Sequence, residues 1–159
     1  TRSRSPSSAE PRRMAPRSLA ILRAAEPRDL PAIVGLIGEL AEFEKLTHLL
    51  RVTPEALRPH LFGERPAAEA VVAEVDAHVV GFALFFTNFS TFLAQPGLYL
   101  EDLFVRPTHR GQGIGEALLR VALDFCRENR VDSAILWPTA RSRSLYARHG
   151  FATPACYDE

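Results

Sequence analysis

The residues best suited to chemistry stand together at Arg110-Gly111-Gln112-Gly113-Ile114-Gly115. Three of the chain's nine glycines fall within those positions. Glycine lets the backbone turn so that several N–H groups face one point, and a helix opening there adds positive potential. That combination can cradle phosphate, with Arg110 adding a formal charge. The competing reading is a glycine-rich turn needed only for chain geometry. The spacing does not make the G-x-G-x-x-G dinucleotide fingerprint, and no Lys-Ser/Thr pair follows as in a nucleotide P-loop. Just upstream, Glu101 and Asp102 are adjacent in an apolar run, residues 98–105, that reads as a strand. Alternation expects their side chains on opposite faces, with only one facing a reacting centre. His109 beside Arg110 is either a phosphate contact or a solvated loop residue. His48, His60, His78 and His149 show no ligand spacing, and no metal is expected.

The elements that must position these residues follow from apolar periodicity. Residues 19–22 read as a short strand. Residues 27–44 read as a helix, with Ile33, Leu36, Ile37 and Leu40 at i, i+3, i+4 and i+7. Thr53-Pro54-Glu55 offers an N-cap with proline at the first helical position, so a second helix runs to about Leu61. Residues 70–75 and 79–86 are apolar runs across the short break Asp76-Ala77-His78, the pattern of a hairpin. The glycine cluster opens a helix over about 113–129, with Ile114, Leu118, Val121 and Phe125 on one face. Residues 134–137 read as a strand, and 142–149 as a short helix closed by Gly150. Strands and helices mixed in one domain indicate α/β or α+β architecture.

With 159 residues, 47% hydrophobic and 24% charged, the chain suits one folded domain and would cramp two. Residues 1–17 hold five arginines against Glu10, which leaves 14 basic and 18 acidic groups in the rest. A mildly acidic body is not that of a nucleic-acid binder and suits a cationic partner. Residues 1–17 read as a disordered Arg/Ser/Pro-rich leader ahead of a single domain over 18–159. A transit peptide is the alternative, disfavoured by prolines at 6, 11 and 16 that spoil an amphipathic helix. No run approaches the roughly 20 apolar residues of a membrane span. Cys126 and Cys156 are too few for a disulfide framework, which makes a reducing cytoplasm the default.

Arg-x-x-Gly-x-Gly directly after Leu103-Phe104-Val105-Arg106-Pro107 resembles the acetyl-CoA motif of the GNAT N-acetyltransferase superfamily. Ile21-Leu22-Arg23-Ala24-Ala25 followed by Asp29 is similar to that family's opening strand and first helix. Leu145-Tyr146-Ala147-Arg148-His149-Gly150-Phe151 is similar to its F-Y-x-x-x-G-F ending. Leu36-Ile37-Gly38-Glu39-Leu40-Ala41, Glu44, Phe62-Gly63-Glu64-Arg65-Pro66 and Tyr99-Leu100-Glu101-Asp102 further resemble the diamine (spermidine/spermine) branch and its thialysine-acetylating relatives.

The resemblance implies a GNAT fold: a mixed, mostly antiparallel sheet flanked by helices, which could lack the family's last strand because the chain ends at Glu159. It implies acetyl transfer from acetyl-CoA to a small primary amine by direct attack, in a homodimer. An amine of pKa about 10.4 is neutral in only about one molecule in 2,500 at pH 7, so a carboxylate or carboxylate–water relay near it is useful. By resemblance Glu101 binds the amine and deprotonates it through water, Asp102 orients the acceptor, and Glu44 lines the amine channel. A bulge frees backbone N–H groups of Leu103, Phe104 and Val105 for the thioester and pantetheine. Arg110, Gly111, Gln112, Gly113, Ile114, Gly115 and Glu116 hold the diphosphate. Tyr146 faces the departing thiolate, and Thr139 stands where the family has an Asn on the coenzyme arm. Two readings stay open beside this one: an acetyltransferase for a protein N-terminus or another amine, and a coenzyme A-binding module of weak activity.

Overall fold

A computed structural model describes residues 19–131, 133–139 and 142–152. The expected leader over 1–17, the expected end of the domain with its missing last strand, and Cys156 lie outside the described residues. Nine principal elements follow in chain order: β1 (Ile21–Ala24), α1 (Leu30–Glu44), α2 (Pro54–Phe62), β2 (Glu69–Val75), β3 (His78–Ser90), β4 (Gln95–Val105), α3 (Ile114–Glu128), β5 (Ala134–Leu136) and α4 (Arg143–Arg148). They build one sheet in the order β1-β2-β3-β4-β5, antiparallel except for the parallel β4–β5 pair.

Both faces of the sheet are covered. On one side α1 and α2 bring Leu30, Ile33, Leu36 and Leu61 against Val72, Phe82, Leu84 and Phe104. On the other, α3 brings Ile114, Leu118, Leu119, Ala122 and Cys126 against Val71, Ala73, Ala83, Phe85, Leu98 and Leu100. The buried stripe of α3 is rotated slightly from the expected one, with Val121 and Phe125 at its margin; Phe125 meets Phe85 at 5.2 Å between ring centroids. Burial pushes the Cys126 thiol up, away from the thiolate a nucleophile needs.

β1 lies over Ile21–Ala24 rather than the expected 19–22, and three further boundaries differ from the sequence reading, each for a local reason. The first turn of the expected 27–44 helix is a separate 3-10 turn, Pro27–Asp29. There Asp29 accepts the Glu26 N–H at 2.8 Å while Arg23 holds its carboxylate at 2.6 and 2.9 Å, and the α-helix starts at Leu30. The β3–β4 hairpin extends to Ser90↔Gln95, beyond the core, as a ribbon held by backbone pairing. β5 stops at Leu136, leaving Trp137 81% exposed. Near the site the sheet is tight: a β-carbon at Gly81 would stand 2.9 Å from the Phe104 carbonyl oxygen, so β3 approaches β4 there as only glycine allows.

Candidate active site

β4 and β5 pair only where Leu98, Tyr99 and Leu100 face Ala134, Ile135 and Leu136. Past Leu100, β4 runs on to Val105 while β5 ends, so the two strands part. A cleft of about 580 Å³ fills the gap. Residues 100–105 of β4 line it together with Leu40, Phe43 and Glu44 of α1, the glycine loop, and Leu136, Trp137 and Tyr146 opposite. A strand edge without a neighbour presents unpaired backbone donors, and here that edge opens into the cleft.

The register of β3 against β4 slips between Leu84, opposite Asp102, and Phe85, opposite Leu100. Glu101 is therefore the extra residue of a β-bulge. The slip moves the α3-facing set from Leu98 and Leu100 to Leu103 and Val105, and puts Phe104 on the α1 side. It also corrects the expectation that only one of the paired carboxylates faces the reaction: Glu101 and Asp102 both line the cleft. Glu101 is exposed and Asp102 half-buried. Burial, then the charges of Glu101 and Glu44, push the Asp102 carboxyl up to about 6. Glu44 reaches the same space from the exposed C-terminal end of α1, where Lys45 takes a left-handed conformation and ends the helix.

Tyr146 comes from the opposite side. It is 7% exposed, its ring edge-on to Phe151 at 5.7 Å between centroids. Burial pushes its hydroxyl pKa up, a hydrogen bond with the Ser142 side chain pulls it down, and the charge of Asp102 raises it. Thr139 lines the cleft, but its hydroxyl is engaged: it lies 3.0 Å from Ser142 Oγ, which also accepts the Thr139 N–H at 3.0 Å.

The glycine loop has the geometry of a cradle. Gly111 and Gly113 have φ of +72° and +83°, and Gly113 starts α3 without a side-chain cap. No hydrogen bond among the described residues takes up the amides of Gly113 through Glu116. A helix leaves its first N–H groups without internal partners, so this row of donors suits an anion. Gln112 is exposed and is not among the residues lining the cleft; Ile114 is buried and Gly115 half-buried beside Val105. Arg110 is turned inward. Its Nε donates to the Val105 carbonyl at 2.8 Å, and its guanidinium lies 5.3 Å from the Phe43 ring centroid and 5.4 Å from that of Phe104. His109 lines the cleft at the same loop.

Phe43, Trp137 and Ser142 are site residues the sequence reading passed over. Phe43 had a signal, since it extends the Leu36–Leu40 stripe by three residues. Trp137 and Ser142 had none, because their role depends on where β5 ends and how α4 is capped.

The fold and site define an acetyltransferase: residues 37–151 match the Acetyltransferase (GNAT) family, and the chain belongs to it. Within the family, thialysine N-epsilon-acetyltransferase of Bos taurus is 37% identical over 146 residues, covering 84% of each chain. L-ornithine N5-acetyltransferase of Arabidopsis thaliana is 31% identical over 148 residues, covering 65% of each. Among solved structures, ribosomal-protein-alanine N-acetyltransferase from Brucella melitensis biovar Abortus 2308 has a TM-score of 0.70 at 26% identity, over 89% of this chain and 96% of that one. Enzymes of this family take their acetyl group from acetyl-CoA, whose diphosphate fits the free amide row at the start of α3. Among the described residues no three of His, Cys, Asp or Glu gather as a metal site, and no helix is long and apolar enough to cross a membrane.

Proposed function

We propose that this enzyme acetylates a small cationic amine carrying a second positive charge, a diamine or diamino acid. The observation that carries the reading is the convergence of Glu44, Glu101 and Asp102 on one cleft, opposite Tyr146 and beside the amide row. Names among the relatives, thialysine and ornithine acetyltransferases, support the same acceptor class. Acetyl-CoA supplies an activated thioester; Gly111, Gly113, Ile114, Gly115 and the β4 edge at Leu103–Val105 would hold it. Where the resemblance makes Glu101 the deprotonating group and Asp102 the orienting one, we reassign these roles on burial: exposed Glu101 attracts the reacting ammonium, and half-buried Asp102 takes its proton. From an amine of pKa about 10.4 to a carboxyl at about 6, that transfer is uphill by about 6 kcal/mol. An ordinary aspartate would make it about 9 kcal/mol. Glu44, at the mouth, holds the far charge.

Burial shapes the role of Tyr146. A departing thiolate, whose thiol has a pKa of about 8.5, is too weak a base to take the proton readily from a tyrosine raised above its ordinary value, so Tyr146 donates a hydrogen bond to it instead. Tyr146→Phe is expected to lower kcat ten- to a thousand-fold while acetyl-CoA affinity stays within about twofold. Full kcat in that variant would return Tyr146 to the hydrophobic core. The reading also includes a cytoplasmic homodimer and the division into a leader (1–17) and one domain (18–159), for which the family resemblance and the composition are the support.

The acceptor assignment is tested with Glu44→Gln, assayed for kcat/KM across a diamine length series and a matched monoamine at saturating acetyl-CoA. An exposed charge contact is worth about 0.5–1 kcal/mol, so long diamines are expected to lose roughly two- to fivefold and the monoamine almost nothing. Equal losses at every chain length would remove Glu44 from the acceptor site.

A further inference from the structure

Helix α4 carries Tyr146, yet six residues are too few to hold a helix in place without tertiary contacts. Its apolar anchors are Tyr146 and Leu145, with Phe151 following. Among the described residues, one pairing of a basic with an acidic side chain ties residues 143–152 to another element: His149 Nε2 stands 3.5 Å from Glu116 Oε1, an ion pair when the imidazole is protonated. His149 is 14% exposed and lies three residues after Tyr146, close to the same helical face. Glu116 belongs to the first turn of α3, where the amide row begins the helix. The same carboxylate oxygen accepts Arg120 Nη2 at 2.8 Å. Arg120, then His149 and Arg148, keep this carboxyl below the usual range. A carboxylate held ionised offers no hydrogen to a phosphate and repels it, so a diphosphate contact by Glu116 falls to its main-chain N–H and not to its side chain.

We propose that Glu116 and His149 form a latch between the first turn of α3 and the end of α4, and that the Glu116 side chain positions Tyr146 rather than binding the cosubstrate, which leaves the Glu116 main-chain N–H in the amide row. The latch spans the two elements that must keep a fixed distance for transfer: the turn that receives the diphosphate and the helix that presents the tyrosine. Arg120 anchors the Glu116 end from within α3, so the carboxylate is already oriented when the imidazole meets it. The proposal rests on the acetyl-transfer reading only for its kinetic consequence.

The test compares Glu116→Ala, His149→Ala, the double variant and His149→Gln, all as the full chain. Amide hydrogen exchange is read over residues 143–148, acetyl-CoA affinity by calorimetry, and kcat with a diamine. Both single alanine variants are expected to exchange about 5–20-fold faster in α4 with β3 unchanged, and the double variant no faster than either. Acetyl-CoA affinity is expected to stay within twofold while kcat falls about 3–10-fold. His149→Gln, which keeps an N–H donor, is expected to regain most of the protection, and it serves where the alanine variants do not fold. Unchanged exchange in α4, additive effects in the double variant, or a more than fivefold loss of acetyl-CoA affinity in Glu116→Ala would overturn the latch. A wild-type chain without transferase activity would refute the functional reading and leave the exchange arm decisive for the latch.

Discussion

Asp102→Asn is expected to lose a hundred- to ten-thousand-fold in kcat while the folded chain becomes more stable above pH 6. The rate loss follows from removing the proton acceptor, whose worth in general-base catalysis is about that size. The gain in stability follows from the same carboxyl. Folding raises its pKa from the ordinary 3.8 to about 6, through burial first and then the charges of Glu101 and Glu44. The fold therefore prefers the protonated group. Its stabilising balance is complete below about pH 4 and is lost as pH rises through 6, when the fold must carry an ionised, half-buried carboxylate. Two pK units correspond to about 3 kcal/mol, and partial access to water reduces this to about 1–3. Asparagine has no such penalty. Thermal or urea unfolding of wild type and variant from pH 4 to pH 8 measures it: the difference should open with rising pH and close near pH 4. A difference independent of pH would mean that Asp102 is not strained by its charge in this cleft. Retention of full kcat by the variant would remove it from proton transfer.

Gly113→Glu is expected to abolish measurable acetyl-CoA binding, a loss of more than a hundredfold, in a chain that still folds. Gly113 has φ of +83° and an added β-carbon would meet nothing within 4 Å, so the change costs backbone strain of about 1–2 kcal/mol without a clash. The new carboxylate would project from the residue that starts α3, beside the amides of the cradle. There it satisfies those donors itself and repels a diphosphate. Gly113→Ala separates strain from charge, since it carries the first without the second, and its affinity is expected to fall less than fivefold. Calorimetry on both variants, with circular dichroism to confirm the fold, decides the matter; unchanged affinity in folded Gly113→Glu would show that the loop does not receive the cosubstrate.

Much of this architecture was legible because the core writes its period into the chain. Ile33 and Leu36 mark α1, and Ile114 and Leu118 mark α3, since each buries one stripe against a sheet face. The glycine loop was legible because left-handed φ at Gly111 and Gly113 needs that residue type. What escaped were features set by pairing between distant segments. The outer β3–β4 ribbon carries Thr87, Asn88, Pro96 and the exposed Phe89, so no alternation announces it; its strands are held by each other's backbone. The bulge at Glu101 is a mismatch between two strands, invisible along either one, and it alone brings both carboxylates to the cleft. Arg110 illustrates the same limit. Its type suggests a phosphate contact and it does line the cleft, but nothing along the chain announces that its guanidinium lies over Phe43 and Phe104, tying the glycine loop to the end of α1. The 3-10 turn before α1 depends on Arg23, which reaches Asp29 from β1.

The most direct measurement of the central claim is the product formed by the wild-type chain. Purified protein is incubated with acetyl-CoA and, separately, with a diamine, a diamino acid such as ornithine, a monoamine and an alanine-ended peptide, while free thiol and product mass are followed. A carboxylate-lined cleft beside the amide row predicts thiol release that depends on acceptor, a singly acetylated diamine or diamino acid, and higher kcat/KM for these than for the monoamine or peptide. Thiol release indifferent to the acceptor, no transfer to any of them, or a clear preference for the peptide would contradict it.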